Sequence, residues 1–391
     1  MDPQVPESSL APPPAVLRDR RRRLLRWYDE HARDLPWRRG TDLYGTWVAE
    51  IMLQQTTVAA VIPRWRAFLD RFPDVRALAA ADEAAVLAAW SGLGYYRRAR
   101  ALHRAAREVV ERLGGRLPDS REGWRALPGI GDYAAGAIAS IGLGLPVPAV
   151  DANVRRVLTR WTCDDPEQVA EIVPARLSEL AAAHVPAARP GDWNQALMDL
   201  GAGRCRAGEP DCRGCPVLAH CAAGRAGTGG SVPPVVARSP VRPVVLGALV
   251  LRAGDAVLLL ASEHATVARA RGLGRARREG LTGLFRGMLN PPLTPWYDDR
   301  DGGTESADRA FERAWRGWLR GLGAVGLEPQ PAGELKHAIT VYRLRVLVSI
   351  ADWPLATGSL DLPGAAWSTP QVGGEPISTL ARKIMRRNPL G

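Results

Sequence analysis

The sequence predicts a two-domain chain, in which an all-helical domain precedes a smaller α+β domain. Over residues 18–221, apolar residues recur at spacings of three and four in alanine-rich segments, which is the period of amphipathic helices. Beyond residue 243 the pattern changes to short apolar runs bounded by turn residues, which is typical of strands. Residues 222–242, between the two patterns, are rich in Gly, Pro and Ser, so we predict a linker there.

The helical domain is predicted to begin after a disordered tail. Residues 1–17 contain several prolines and show neither helical nor strand periodicity. Six arginines follow between Arg18 and Arg26, at the start of the first predicted helix. Because proline lacks the backbone N–H that a helix interior needs, prolines predict the breaks between helices. These breaks are expected at Pro63, Pro73, Pro118, Pro128, Pro146 and Pro174.

The C-terminal domain, residues 243–391, mixes the two patterns. The apolar runs Val244–Leu251 and Ala256–Leu260 are split by Arg-Ala-Gly-Asp, which predicts a hairpin. Ala307–Leu319 has helical spacing, and Ile339–Ile350 predicts one or two further strands. Strands and helices in this order predict an α+β domain.

Composition limits the class of protein. Apolar residues make up 46% of the chain, which is enough for packed cores and excludes wholesale disorder. The net charge of +11 suits a polyanionic partner such as nucleic acid, although the same charge also serves solubility. The sequence contains no run of 18 apolar residues, so no membrane span is predicted. The first residues do not have the pattern of a secretory signal. We therefore expect a cytoplasmic protein with no membrane partner.

Four of the five cysteines fall within 17 residues, at the spacing C-x6-C-x2-C-x5-C. Zinc sites usually show two C-x2-C pairs separated by a longer stretch, whereas this segment contains one such pair. The compact loop therefore favours one [4Fe–4S] cluster over zinc, in a reducing compartment rather than in a disulfide framework. The four residues are Cys205, Cys212, Cys215 and Cys221, and we expect their cluster to anchor the loop rather than perform chemistry. Cys163 lies outside the pattern and is predicted to be a buried filler.

A glycine turn between two helical segments predicts a phosphate site. The run Leu127-Pro128-Gly129-Ile130-Gly131 precedes a helix predicted to begin near Asp132. Glycine permits positive φ and leaves backbone N–H groups uncovered, and the positive end of a helix dipole favours an anion. A plain helix connector is the alternative for this turn.

One carboxylate follows the turn in an apolar lead that contains a proline. Asp151 comes directly after Val147-Pro148-Ala149-Val150, and Asn153 stands two residues later. The position predicts that Asp151 is the N-cap of a helix over 152–160. An N-cap role and a catalytic role are compatible at this residue.

The order of these motifs resembles the helix-hairpin-helix DNA glycosylases that end in an iron–sulfur loop. The glycine turn, Asp151 and the cysteine loop cover about residues 20–221, and endonuclease III belongs to the same family. Three further features resemble the MutY-type adenine glycosylases. These are the segment from Trp47 to Thr56, the loop Gly92-Leu93-Gly94-Tyr95-Tyr96, and Tyr133, which stands where strand-cleaving relatives have a lysine.

The resemblance implies a base excision repair enzyme that removes adenine mispaired with 8-oxoguanine or guanine. Its partner would be double-stranded DNA with such mispairs, bound by a monomer associated with a bacterial nucleoid. Glu50 would be the general acid. Its apolar helix, with Trp47 and Gln54 at the spacing that shares its face, predicts a buried carboxyl with a raised pKa.

The other catalytic roles also follow from the resemblance. Asp151 would stabilise the positive sugar that remains when adenine leaves, with Asn153 and Tyr133 orienting it. Tyrosine cannot form the Schiff base that lysine forms, so we expect base removal without an efficient strand-cleavage step.

The DNA contacts that the resemblance implies lie in three segments. Trp37 and Arg38 match positions near the flipped adenine, and Gln54 is also expected to bind the substrate or the DNA. Gln55 and Tyr95 match the wedge that fills the gap left by the flipped base. Gly129 and Gly131 would hold phosphate.

Residues 243–391 resemble, more weakly, the Nudix-like lesion-reading domain of this family. Gly283-Leu284-Phe285 is similar to its opening turn and Ser378–Ile384 to its closing helix, but no acidic Nudix catalytic motif is present. Where the family usually has Phe-Ser-His, this chain has Leu335-Lys336-His337. Lysine only donates hydrogen bonds and adds charge, so we hypothesise that lesion discrimination is altered, with His337 kept as a DNA contact.

Two other functions stay open on the sequence. A thymine or uracil mismatch glycosylase of the same fold would also carry Tyr133 and Asp151, but such relatives commonly lack a glutamate at the position of Glu50. A catalytically weak DNA-damage binding protein is conceivable because Lys336 departs from the family pattern. The presence of both acids argues against it.

Overall fold

The computed structural model describes residues 12–387 apart from 41, 164, 168, 170–173, 235–239, 269–275, 278–287, 299–305, 340, 355–359, 361 and 370–376. Side chains are described for the same residues except 174–176, 276–277, 379 and 387. Contacts divide the chain into two compact units. The first comprises Met1–Ala80 with Ala101–Ala237, and the second comprises Ala81–Arg100 with Arg238–Gly391. The sequence pattern did not predict that Ala81–Arg100 groups with the C-terminal unit.

The prediction of a helical N-terminal half is confirmed. Its helices are α1 Pro14–His31, α2 Leu43–Leu53, α3 Val58–Arg71, α4 Val75–Ala80, α5 Glu83–Ala89, α6 Arg97–Leu113, α7 Arg121–Arg125, α8 Asp132–Gly142, α9 Ala152–Thr162, α10 Pro174–His184, α11 Pro190–Gly203 and α12 Ala222–Ala226. In the part of the chain that the structure describes, no helix is both long and apolar enough to cross a bilayer.

Three predicted boundaries differ from the structure. Helix α1 begins at Pro14 rather than after residue 17, because proline is well suited to the first helical turn. Pro63 lies inside α3 without ending it, since Trp65 and Phe68 are buried on the same helix and compensate for one missing hydrogen bond. The predicted linker contains α12, whose C-cap residue Gly227 has a φ of 77°.

The core of the first unit surrounds α11. Trp193, Ala196, Leu197 and Leu200 follow the spacing i, i+3, i+4, i+7, and none is more than 2% exposed. This stripe packs against buried residues of α1, α9 and α10. Val217 and Cys221 of the cysteine loop belong to the same cluster. The other members of the cluster are Leu24, Tyr28, Val154, Val157, Leu158, Trp161, Leu177, Leu180, Ala181 and Val185. The cysteine loop is therefore part of the domain core.

The second unit is α+β, as predicted. Its strands are β1 Arg242–Ala253, β2 Ala256–Ala261, β3 Ala276–Arg277, β4 Leu289–Asn290, β5 Trp296–Asp298, β6 Gln330–Ile339, β7 Tyr342–Asp352 and β8 Ala365–Ser368, and its later helices are α13 Ala307–Gly321 and α14 Thr379–Arg387. The order β3-β5-β1-β2-β4 forms one path, while β7 pairs with β1 in parallel and with β6 antiparallel. Strand β8 pairs with β2.

The predicted elements of this unit are present with longer bounds. The hairpin of β1 and β2 turns at Gly254, where φ is 58°, so that Ala253 pairs with Ala256. Gly247 of β1 lies against Phe311 of α13, and a Cβ there would meet the ring at 2.9 Å, which explains the close approach of helix and sheet. The predicted opening turn, residues 283–285, lies outside the described residues.

Candidate functional site

Helix α2 carries one acidic residue, and its carboxyl is buried in the first unit. The Asp42 side chain caps the helix by accepting from the Gly45 N–H at 2.7 Å. Positions 44–52 are all buried, and Glu50 is the one charged residue among them, at 5% exposure. A buried carboxyl without a full cationic partner holds its proton more tightly than in water.

The neighbours of Glu50 set its proton affinity. The Tyr133 hydroxyl, on the first turn of α8, donates to Glu50 Oε2 at 3.0 Å. Burial raises the pKa of Glu50 to about 7; the hydrogen bond from Tyr133 and the charge of Arg38 lower it, and the charge of Asp151 raises it. Burial also raises the pKa of Tyr133 well above its ordinary value, so that this hydroxyl remains a donor.

Asp151 is the N-cap of α9, as predicted. One carboxylate oxygen accepts from the Val154 N–H at 2.7 Å and the other from Asn153 Nδ2 at 3.1 Å. Both bonds fix the direction of the carboxylate. The electrostatic effect of Asp151 on Glu50 shows that α2, α8 and α9 bring the predicted acids and Tyr133 to one place.

A buried amide holds the segment that leads to Asp151. Asn194 of α11, 1% exposed, donates to the Val147 carbonyl at 2.9 Å and to Ser140 Oγ at 2.8 Å. Its own carbonyl accepts from the Ala149 N–H at 3.1 Å. On α8, a Cβ at Gly136 would meet the Pro148 carbonyl oxygen at 2.1 Å. The lead is thus held between two helices.

A second chain of hydrogen bonds joins Asp151 to the cysteine loop. Arg156 donates to Asn153 Oδ1 at 2.9 Å and to the Cys205 carbonyl at 2.9 Å. Because Asn153 donates in turn to Asp151, the orientation of the carboxylate is tied to the position of the loop.

Trp37 and Arg38 lie in a short 3-10 turn, Pro36–Arg38, and both are largely buried. Trp37 packs edge-on against Trp65, with ring centroids 5.9 Å apart. The Arg38 guanidinium donates to both oxygens of Asp199, at 2.8 and 3.0 Å, and lies 5.6 Å above the Tyr28 ring. The charge of Arg38 also acts on Glu50, so Arg38 is held in place near the predicted acid.

The glycine turn matches its prediction at one of two glycines. Gly129 has φ of 79°, and a Cβ there would meet the Ala101 methyl at 2.5 Å. Gly131 is in the extended region instead and is the N-cap of α8, and a Cβ added to it would meet nothing within 4 Å. Its backbone is therefore open to a ligand at the helix N-terminus.

Gln54 lies after the last residue of α2 rather than on its face. Helix α2 ends at Leu53, so the predicted shared face of Trp47, Glu50 and Gln54 extends only to the first two. The next residue, Gln55, has φ of 57°. Left-handed backbone is uncommon for non-glycine residues and is often found at functional sites.

Tyr95 shares this backbone feature in the second unit. Its φ is 47°, and Gln55 and Tyr95 are the two non-glycine residues with positive φ among the described residues. Tyr95 is 41% exposed, whereas Tyr96 is buried. Arg98 donates to the carbonyls of Leu93 and Gly94 and lies 5.7 Å from the Tyr95 ring. An exposed aromatic ring on a loop whose backbone is fixed by hydrogen bonds can stack on a base.

The four predicted cysteines line one cavity in the first unit. Arg160 donates to Cys205 Sγ at 3.1 Å, and the Gly224 N–H donates to Cys221 Sγ at 3.3 Å. Burial raises the pKa of Cys215 to about 12 and that of Cys221 to about 11, and the neighbouring thiols add to both shifts. Four sulfur donors around one cavity are the ligand set of an iron–sulfur cluster, so the residues present fit that group.

Two further residues singled out in the sequence are Cys163 in the first unit and His337 in the second. Cys163 is buried and donates to the Asp165 carbonyl, as expected of a filler. On β6, Leu335 is buried, Lys336 is exposed and His337 is half-buried, in the alternation of a strand. Lys383 of α14 donates to the Lys336 carbonyl at 2.6 Å. Burial and Lys383 lower the pKa of His337.

Sequence reasoning missed three residues of α11 that take part in the site. Asn194 and Asp199 are buried polar residues of α11 outside its apolar stripe, and Met198 Sδ lies 3.8 Å from the Tyr133 hydroxyl. Polar residues on the buried side of a helix are a usable signal, because each requires a partner.

Known proteins resemble this chain in sequence. A model of the HhH-GPD superfamily of base excision DNA repair proteins matches residues 48–183. The adenine DNA glycosylase of Mycolicibacterium smegmatis is 43% identical over 202 residues, which cover 51% of this chain and 67% of that protein. The chain belongs to the HhH-GPD superfamily of base excision DNA repair proteins. The adenine DNA glycosylases of Homo sapiens and Rattus norvegicus are 46% identical over 209 and 212 residues.

The chain spans less than half the length of these two mammalian relatives, 38% of the human and 41% of the rat protein. Among solved structures, a thermostable thymine-DNA glycosylase matches with a TM-score of 0.50 and 27% identity, over 54% of this chain and 97% of that one. The predicted helical HhH-GPD fold is therefore confirmed. Within it, Glu50, Tyr133 and Asp151 lie together.

Proposed function

We propose that this HhH-GPD protein is an adenine DNA glycosylase, which hydrolyses the N-glycosidic bond of adenine mispaired with 8-oxoguanine or guanine. The observation that carries the proposal is the buried carboxyl of Glu50, bonded to Tyr133 and close enough to Asp151 to feel its charge. A buried acid beside a second carboxyl group is the arrangement that glycoside hydrolysis uses.

Glu50 is the proton donor in this proposal. Adenine leaves readily only when a ring nitrogen has gained a proton, and a carboxyl with a pKa of about 7 is still about half protonated at pH 7. Because a duplex hides the bond, the adenine must first be flipped out of the stack to reach Glu50.

Asp151 stabilises the sugar in this proposal. When the C–N bond breaks, its electron pair leaves with adenine, and positive charge develops on the sugar. A carboxylate fixed by Val154 and Asn153 does not have to reorganise to meet that charge. Water then adds to the sugar carbon and loses a proton, which leaves an abasic site.

Strand cleavage is not part of the proposed reaction. Tyr133 stands at the sequence position where strand-cleaving relatives have a lysine, and its hydroxyl donates to Glu50. A phenol forms no Schiff base, so the abasic strand would remain intact.

DNA binding is proposed to use separate segments of each unit. In the first unit, the open N-terminus of α8 at Gly131 would take a phosphate, with Gln55 held in a left-handed conformation for the gap in the duplex. Trp37, Arg38 and Gln54 would surround the flipped base. In the second unit, Tyr95 offers an exposed ring for stacking.

The C-terminal unit is proposed to be a Nudix-like lesion reader. Lys336 is exposed on β6, and His337 on the same strand would be a DNA contact. A lysine here adds a cation that can meet a phosphate or the lesion's O8, which would change the preference for the base opposite adenine.

One [4Fe–4S] cluster is proposed as the resident cofactor, held by Cys205, Cys212, Cys215 and Cys221. When bound, it would supply structural cross-linking of the loop. Because thiolates are the ligands, loading would release the protons that burial now holds on Cys215 and Cys221. We propose that the protein acts as a monomer in the bacterial cytoplasm, on the nucleoid.

The experiment is single-turnover base release from duplexes that contain A:8-oxoguanine, A:G, A:C or T:G. Adenine release from the first two, with strands that break only after alkaline heating, is the expected result. Comparable rates for A:8-oxoguanine and A:G would support weakened lesion discrimination, and a large preference for 8-oxoguanine would reject that part. Failure to release adenine from any duplex would overturn the proposal.

A thymine mismatch glycosylase is the second candidate, and the solved thymine-DNA glycosylase of similar fold favours it. The same assay separates the two functions. Thymine release from T:G without adenine release from A:G would establish the second candidate.

A further inference from the structure

Arg33, Arg38 and Asp199 form a closed set of charges beside the proposed acid. The Asp199 side chain is 3% exposed. Arg38 donates to both of its oxygens, and Arg33 donates through its Nε to Oδ1 at 2.7 Å and through its backbone N–H to Oδ2 at 3.2 Å. The two guanidinium groups and one carboxylate carry a net charge of +1.

The set sits where its charge reaches Glu50. Arg38 acts electrostatically on Glu50, although its hydrogen bonds go to Asp199. The other groups that act on Glu50 are Tyr133 from α8 and Asp151 at the start of α9. Burial works against the charge of Asp199, yet the two arginines hold its pKa below the ordinary value. Asp199 is therefore an ionised partner for Arg38.

A guanidinium group in such a pocket requires an acceptor. Arg38 cannot lose its proton in a protein, and an unpaired buried cation is costly. Glu50 is an acidic side chain that already interacts electrostatically with Arg38. Without the Asp199 carboxylate, Glu50 would therefore be the acceptor with which Arg38 pairs. An ion pair between them would convert Glu50 to the carboxylate, which has no proton to give.

We propose that Asp199 is a positioning residue that keeps Arg38 from pairing with Glu50, so that Glu50 holds the proton that excision consumes. The inference rests on the proposed function. It explains why α11 carries a buried acid beside its apolar stripe.

The test is the pH profile of single-turnover adenine excision for Asp199→Asn. The substitution raises the net charge of the set from +1 to +2, which stabilises the ionised form of Glu50. Since only the protonated acid reacts, the rate falls as pH rises through the pKa of Glu50, and a lower pKa moves this limb to lower pH. A displacement of one pH unit would reduce the rate about tenfold on the alkaline side and leave the acidic plateau within about threefold.

Two further variants keep the inference falsifiable. Asp192→Asn is the matched control, because Asp192 is on the same helix but is 40% exposed and bound to Arg189. Its limb should coincide with that of the unaltered protein. Arg33→Gln removes one cation from a side chain that is 42% exposed, so it should fold even where Asp199→Asn does not. It lowers the net charge to zero and should move the limb to higher pH.

Opposite displacements in Asp199→Asn and Arg33→Gln would support the inference. A uniform loss of rate at every pH in Asp199→Asn, or no displacement in Arg33→Gln, would overturn it. Duplex affinity, measured alongside, should stay within about threefold in all variants. If the unaltered protein releases no adenine at any pH, the proposed function has failed, and this outcome is distinct from an unmoved limb.

Discussion

The Glu50 carboxyl illustrates how one residue can combine structural cost and chemical use. It interrupts the apolar helix α2 at a position that is 5% exposed, where an apolar residue would pack without a desolvation penalty. Burial raises its pKa to about 7, although the hydrogen bond from Tyr133 and the charge of Arg38 both lower the pKa. The cost of burying this acid is therefore the source of the protonated group that the proposed reaction needs.

Replacement of Glu50 by glutamine should abolish base release. Glutamine keeps the shape but carries no transferable proton, and general acid catalysis typically contributes about 10²–10⁴-fold. We expect the single-turnover rate to fall by about this factor while duplex affinity changes little. Glu30→Gln, at a side chain that is 63% exposed, is the control. An unaltered rate in Glu50→Gln would disprove the assignment of the acid.

Loss of the Tyr133 hydroxyl should move the pH profile in the opposite direction to Asp199→Asn. In Tyr133→Phe, Glu50 loses a hydrogen bond that favours its ionised form, so its pKa rises further. Because the rate depends on protonated Glu50, the alkaline limb should shift to higher pH. The measurement is the excision rate between about pH 5 and 9. A limb displaced to lower pH would show that Tyr133 acts on Glu50 in another way.

At the scale of secondary structure, the segment before α9 determines where Asp151 can be. Val147–Ala149 makes no strand or helix of its own, so its position depends on the amide of Asn194 and on close contact with Gly136. Buried backbone groups that lose their partner cost about 1–3 kcal/mol each, and the segment can shift to recover hydrogen bonds.

Asn194→Ala should therefore reduce excision more than binding. Both the Val147 carbonyl and the Ala149 N–H lose their partner, and movement of the lead displaces the Asp151 carboxylate. We expect a loss of about tenfold or more in single-turnover rate, with duplex affinity nearly unchanged. The control is Asn290→Ala in the second unit, since Asn290 is also fully buried and bonded to Ser262 and Ser378. The role of Asn194 would be contradicted if both variants lost the same amount of stability and neither lost excision rate.

The glycine turn before α8 offers a test of the phosphate site. Gly131→Ala should fold normally, because a Cβ there meets nothing within 4 Å, but its methyl would project from the surface proposed to meet phosphate. Duplex affinity should fall about three- to tenfold with little change in melting temperature. Gly129→Ala should instead destabilise the fold, since φ is 79° and Ala101 is in the way. Unchanged affinity in Gly131→Ala would place the phosphate elsewhere.

Local patterns explain which elements could be predicted from the sequence. The N-cap role of Asp151, the helix after Gly131 and the hairpin at Gly254 follow from short-range chemistry that the residues themselves carry. Pro63 misled the prediction because burial of Trp65 and Phe68, which is a tertiary effect, outweighs one lost hydrogen bond. Asp199 and Asn194 could not be assigned because their partners, Arg38 and Val147, are distant in the chain.

At the scale of the whole molecule, the predicted change of pattern near residue 243 corresponds to two compact units, but not to a simple division of the chain. Ala81–Arg100 groups with the C-terminal unit, although its helical spacing looks like that of its neighbours. Periodicity reports which face of an element is buried and carries no information about what buries it. Tyr95 therefore belongs to a different unit from Gln55, and the sequence motifs alone did not separate them.

The cysteine loop makes a prediction that distinguishes the two units. Cys221 and Val217 belong to the same core as Leu24 and Trp193, so loss of a cluster would remove support from α1 and α11. Cys221→Ser should lower the iron content, reduce the visible absorption of the cluster and increase hydrogen exchange in the first unit. Structural metal sites commonly contribute folding free energy directly, so the melting transition of this unit should move to lower temperature.

Cys163→Ser provides the matched control for this measurement. Cys163 is also a buried thiol of the first unit, but its Sγ donates to the Asp165 carbonyl, which a serine hydroxyl can do as well. Iron content and hydrogen exchange should stay unchanged in this variant. In Cys221→Ser, faster exchange should be confined to the first unit, while β1 and β7 of the second keep their protection, because their pairing does not involve the loop. Full iron content and ordinary exchange in Cys221→Ser would show that the loop is held without a cluster.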